Sequence, residues 1–93
     1  MKVAFYLENK DIQKVDFTNP ELGNPGCGGT QFLFAATPYY LKKYFESSYE
    51  VFIISNNINY LPRNINSFKV ENIFEAAKLA KKIQCDFFIY RSR

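Results

Sequence analysis

Apolar residues in this chain fall into two kinds of run. Continuous ones occur at Val3 to Leu7, Tyr49 to Ser55, Ser67 to Val70 and Asp86 to Tyr90. Short unbroken apolar runs predict strands covered on both faces, as in parallel sheets. Two other stretches repeat at helical spacing. The first starts at Gly29 or Thr30, places Phe32, Leu33, Ala36, Tyr40, Leu41, Tyr44 and Phe45 on one broad face, and stops at Ser47-Ser48. Pro38 inside it removes a backbone bond and predicts a kink. The second begins at Asn72, where Asn72 and Glu75 match a capping box. It buries Ile73, Ala76, Ala77, Ala80 and Ile83 and leaves Lys78, Lys81 and Lys82 in water.

The predicted order is therefore β-α-β-β-α-β. That order belongs to an open, mainly parallel, Rossmann-like α/β sheet of about four strands and two main helices. Two connections are long and polar. Residues 8–28 carry Asn9, Asp11, Asp16, Asn19-Pro20, Gly23, Asn24 and Pro25, a loop long enough to suggest function or mobility. Residues 56–66 are Asn-rich, with Pro62. The chain stops soon after its last strand without a covering helix. Residues 1–93 are thus expected to be a single partial domain of a larger protein, with an apolar strand poorly covered. In isolation such an edge is expected to recruit a second copy.

Composition narrows the chemistry. An apolar content of 47%, with 18% aromatic, is ample for a packed core and argues against disorder. The net charge of +3 comes without a basic run, so nucleic acid is not an expected partner. Two cysteines, Cys27 and Cys85, make no disulfide framework, and no signal peptide or spanning segment is visible. A reduced, cytoplasmic protein is expected. Lys42 and Lys43 are too short a basic signal to establish membrane-peripheral binding. With no His, an imidazole base is excluded, and no metal site is expected.

The candidate chemistry lies at Gly23 to Gln31, a glycine-rich loop entering a helix downstream of a buried strand. Bare backbone N–H groups and a positive helix end suit an anion. The glycines have the wrong spacing for a dinucleotide fingerprint, and residues 8–22 intervene after the strand. Gly23 to Thr30 nearly matches a P-loop, but Gly29 occupies the lysine position that would hold the β/γ-phosphates. The remaining functional reading is a loop lining a cleft, with Gly28 and Gly29 permitting close approach. A plain tight turn and helix entry competes with it.

Lys2 to Leu7, followed by Asn24 to Gln31 and Tyr39 to Leu41, resembles the start of a GT-B glycosyltransferase of the family 4-like group. The Gly-Gly-Thr-Gln stretch is the motif-specific part. The resemblance implies transfer of a sugar from a nucleotide-sugar donor to a glycan or small-molecule acceptor, in a cleft between two Rossmann-like domains. Gly28, Gly29, Thr30 and Gln31 would lie at that cleft, with Gly26 and Asn24 weaker candidates in the same loop. The second domain is absent from these 93 residues, so the chain alone is expected to be inactive and to bind no cofactor of its own. Glu8 and Asn9, at the end of the first strand, sit where open α/β sheets bind ligands. Arg91 and Arg93 follow the last strand at the same end and could meet a phosphate. Cys27 is a candidate reactive thiol, and Asp16 and Glu21 are candidate acid/base groups without a fixed partner. The competing class is a non-catalytic Rossmann-like or flavodoxin-like binding module.

Overall fold

A computed structural model describes residues 1–12 and 14–91. The predicted element order is realised, with strands β1 (Lys2–Leu7), β2 (Glu50–Ser55), β3 (Asn66–Lys69) and β4 (Phe87–Ile89) and helices α1 (Gly29–Phe45) and α2 (Ile73–Lys82). The strands form one sheet in the order β3-β2-β1-β4. Every pairing is parallel: Val3 lies beside Val51 and Phe87, and Phe52 beside Asn66. The fold is α/β and Rossmann-like.

Strand alternation sorts the core into two layers. Ala4, Tyr6, Phe52 and Ile54 point to one face and pack against Ala76 and Ala80 of α2. Val3, Phe5, Leu7, Val51 and Ile53 point to the other, where Ala35, Phe34 and Leu41 of α1 cover them. The two helices therefore lie on opposite faces of the sheet.

Two helix-face readings are corrected by the packing. On α1 the buried residues are Ala35, Ala36 and Pro38, whereas Leu33, Tyr44 and Phe45 stand in solvent. The small residues let the helix approach the sheet closely, with Phe34, Tyr39 and Leu41 packed beside them, while Leu33, Tyr44 and Phe45 fall on the outer side and C-terminal end. The helix is assigned without a break through Pro38, although the missing N–H leaves the Phe34 carbonyl without its usual donor. On α2, Ala77 faces solvent, and Leu79 packs on the sheet with Ile73 and Ile83.

The long segment between β1 and α1 is more structured than a plain polar loop. It contains two 3-10 turns, Lys10–Ile12 and Pro20–Leu22, and inserts Phe17 into the core, 2% exposed. Phe17 joins Leu7, Ala35, Ile53, Leu61 and Ile65, and its N–H donates to the Tyr60 carbonyl at 2.8 Å. No helix joins β2 to β3. Phe17, Leu61 and Ile65 provide apolar cover on that side of the sheet.

Candidate functional site

The α1 crossover leads from β1 to β2 on one side, and the α2 crossover leads to β4 on the other. The chain thus reverses its direction of travel across the sheet between β1 and β4. At such a switch point the loops leaving adjacent strands diverge and open a crevice beyond the strand ends. A crevice of about 390 Å³ lies there. β1 and the residues after it supply Tyr6, Leu7, Glu8 and Asp11 to its wall. The first turns of α1 supply Thr30, Gln31 and Phe34, α2 starts at it with Ile73, and the end of β4 supplies Tyr90 and Arg91.

Four residues singled out from the sequence meet here: Glu8, Thr30, Gln31 and Arg91. Gln31 donates from Nε2 to the Glu8 carbonyl at 3.3 Å, linking two of the lining residues. Gly28 is the N-cap of α1 and has no side-chain oxygen to offer the helix. The first-turn N–H groups at Gly29, Thr30 and Gln31 have no intrahelical acceptor, so the helix end carries partial positive charge beside the crevice.

The other candidate residues have different work. Asn9 is 4% exposed and faces inward. Its Oδ1 accepts from the N–H groups of Asn56 and Asn57 at 3.0 and 2.9 Å, and its Nδ2 donates to the Asn57 carbonyl at 2.8 Å. That side chain ties the end of β1 to the end of β2 rather than facing a ligand. Asn24 is turned on its own loop, accepting from the amides of Gly26 and Cys27, both at 2.9 Å. These two amides are consumed within the loop. Gly26 has φ +102°, which requires glycine, while a Cβ at Gly29 would meet open space. Arg93 lies outside the described residues.

Asp16 and Glu21 each have fixed partners, outside the crevice. Asp16 accepts from the Thr18 hydroxyl and amide, which hold its carboxyl below the usual carboxylate range. Glu21 accepts from Lys43 and from the Tyr39 hydroxyl at 2.6 Å, pinning the Pro20–Leu22 turn to α1. Lys43, then Tyr39, lower the Glu21 carboxyl, and the same bond raises the Tyr39 hydroxyl. Burial pushes the Cys27 thiol up, against the expectation that a helix start would lower it.

Asp11, Phe34, Ile73 and Tyr90 escaped the sequence reading. Tyr90 carried a signal, since it immediately follows the last strand at the ligand-facing end. Ile73 read only as a helix-face residue and Asp11 as a loop residue, and Phe34 was left off the apolar face read for the first helix. Among the described residues, no group of three or more His, Cys, Asp or Glu is placed to hold a metal ion. Among them too, no helix is long and apolar enough to cross a membrane.

Comparison with known proteins returns no match among family models, curated proteins or solved structures.

Proposed function

We propose that this chain is the N-terminal part of a glycosyltransferase, with the crevice between β1 and β4 forming one wall of a cleft for a nucleotide-sugar. The observation that carries the reading is the meeting of an uncapped helix start with a lined crevice at the switch point. The lining suits a sugar phosphate in two parts. Arg91 and the first-turn amides of α1 offer charge and donors to phosphate oxygens. Tyr90, Phe34 and Tyr6 provide ring surface, and Thr30, Gln31, Glu8 and Asp11 provide the mixed donors and acceptors that hydroxyl groups use. The carboxylates of Glu8 and Asp11 suit hydroxyls rather than phosphates, so the diphosphate belongs on the α1 and Arg91 side. In this reading a second domain completes the donor site, and the chain by itself binds without turning over.

The test is an amide-resolved NMR titration of the 93-residue chain with uridine diphosphate glucose, uridine diphosphate and methyl glucoside. The nucleotide-sugar is expected to move the amides of Gly29, Thr30, Gln31 and Arg91, with a dissociation constant of about millimolar order. Gly29→Asp places a carboxylate at the helix start, where open space accommodates it, and is expected to abolish the response. No shift with any of the three compounds, or an unchanged response in Gly29→Asp, would overturn the proposal. A response to methyl glucoside alone would favour a non-catalytic binding module.

A further inference from the structure

Residues 56–65 join β2 to β3 without the helix that ordinarily makes a parallel crossover. A pocket of about 270 Å³ lies between that connector and the last turns of α1. It sits at the amino-terminal ends of the strands, since α1 ends at Phe45 ahead of β2, and Arg63 to Ile65 lead directly into β3. The crevice lies beyond the opposite, carboxyl ends, and the two share no lining residue. Tyr39 and Ile65 bring apolar surface to the pocket, both belonging to the cluster around Phe17.

Among the described residues the lining brings together three cations, Lys42 and Lys43 from α1 and Arg63 from the connector, and one carboxylate, Glu46. Lysines in a last helical turn ordinarily answer the partial negative charge of the helix end. Arg63 belongs to no helix, so that account does not extend to it. Lys43 is paired with Glu21, which also accepts from the Tyr39 hydroxyl. Lys42 and Arg63 have no ion-pair partner among the described residues. Asp16 feels the charge of Arg63, but its carboxyl is held chiefly by the hydroxyl and amide of Thr18.

We propose that this pocket is a second binding site, for a phosphomonoester. Such a group carries close to two negative charges at neutral pH, which the two unpaired cations match. A carboxylate would leave one of them unanswered. The Arg63 guanidinium suits two phosphate oxygens at once, Lys42 adds a point charge from the facing element, and Asn64 offers an uncharged donor beside them. The volume is below the range of about 300–1,000 Å³ usual for drug-sized ligands, so the occupant is small. A soluble metabolite and a lipid headgroup can both present this chemistry. The site does not depend on what the crevice binds.

An amide-resolved NMR titration of the 93-residue chain with glycerol 3-phosphate tests this, against sodium chloride at matched ionic strength. The amides of Lys42, Lys43, Arg63 and Asn64 are expected to shift, with a dissociation constant of about millimolar order. Arg63→Gln and Lys42→Gln should each weaken binding by about fivefold or more, and Arg63→Lys by less. Arg63 is exposed, so its variants should unfold at nearly the same temperature as the unaltered chain. Sedimentation with phosphatidylcholine vesicles containing phosphatidic acid separates the two sources. Uptake that Arg63→Gln abolishes assigns the site to a lipid headgroup, and a soluble response without uptake assigns it to a small metabolite. The proposal is overturned if glycerol 3-phosphate acts no differently from chloride and no Arg63-dependent uptake occurs. It is overturned equally by shifts confined to Gly29, Thr30, Gln31 and Arg91, or by binding that neither substitution weakens.

Discussion

Two asparagines just past β1 and β2 tie the ends of those strands together. Asn56 is 8% exposed and uses both ends of its amide. Its Oδ1 accepts from the Asn9 N–H at 3.1 Å, and its Nδ2 donates to the carbonyls of Val70 and Glu71 at 3.2 and 3.1 Å. Asn9 returns the connection to Asn56 and Asn57, as described above. Buried amides so engaged are costly to remove, because each orphaned backbone group loses its partner without regaining water. Asn9→Ala is expected to destabilise the chain by about 2–3 kcal/mol, since two backbone donors lose their acceptor. Urea unfolding checks this, with a midpoint shift at constant slope as the expected form. In the sequence Asn9 was legible only as a polar residue at a strand end. Ligand contact and backbone bracing demand the same residue type there, and the inward turn of the side chain decided between them.

Among the elements, α2 reads most directly. Asn72 caps it by accepting from the Glu75 N–H at 3.0 Å, as the capping box predicts. The return bond from Glu75 goes to the Glu71 N–H at 3.5 Å instead of to Asn72. At the other end Gln84 adopts φ +60°, and the Cys85 N–H reaches back to the Ala80 carbonyl at 2.9 Å. This is the wrapping bond of a Schellman-type stop, a position usually given to glycine. Gln84→Gly is therefore expected to stabilise the chain by about 0.5–1 kcal/mol, by removing a left-handed side-chain penalty. Thermal unfolding should register it as a small rise in midpoint, and a fall would count against this account of the stop. Helix α1 was harder to read. Its apolar residues suggested one broad face, of which only Ala36 is fully buried, and the small residues Ala35 and Ala36 set the contact by allowing close approach.

At the scale of the whole molecule, the sheet lacks a helix between β2 and β3, and a loop residue helps cover that side. Phe17 is among the largest fully buried side chains, and it arrives from the longest polar stretch in the sequence. Phe17→Ala is expected to cost about 3–5 kcal/mol, comparable with the entire stability of a marginal small domain. Circular dichroism should then show a substantially unfolded population at room temperature, whereas a cost below about 1 kcal/mol would mean that the loop is not part of the core. The crevice is likewise a property of the assembled sheet. Its wall gathers side chains from β1, α1, α2 and the end of β4, distributed from Tyr6 to Arg91. Only the relative placement of the crossovers makes them neighbours.

The sequence by itself determined the element types and their order, because continuous apolar runs, a capping asparagine and helical spacing are local signals carried by adjacent residues. It also placed the start of the first helix at Gly29 or Thr30, where apolar helical spacing begins, and α1 starts at Gly29. Tertiary structure alone decided the strand order, the side of α1 that meets the sheet, the burial of Phe17, and which of the loop's polar groups face the crevice. Those outcomes depend on side-chain volume and on hydrogen-bond partners distant in the chain, such as Asn9 with Asn56. Neither quantity is written in any short stretch of residues.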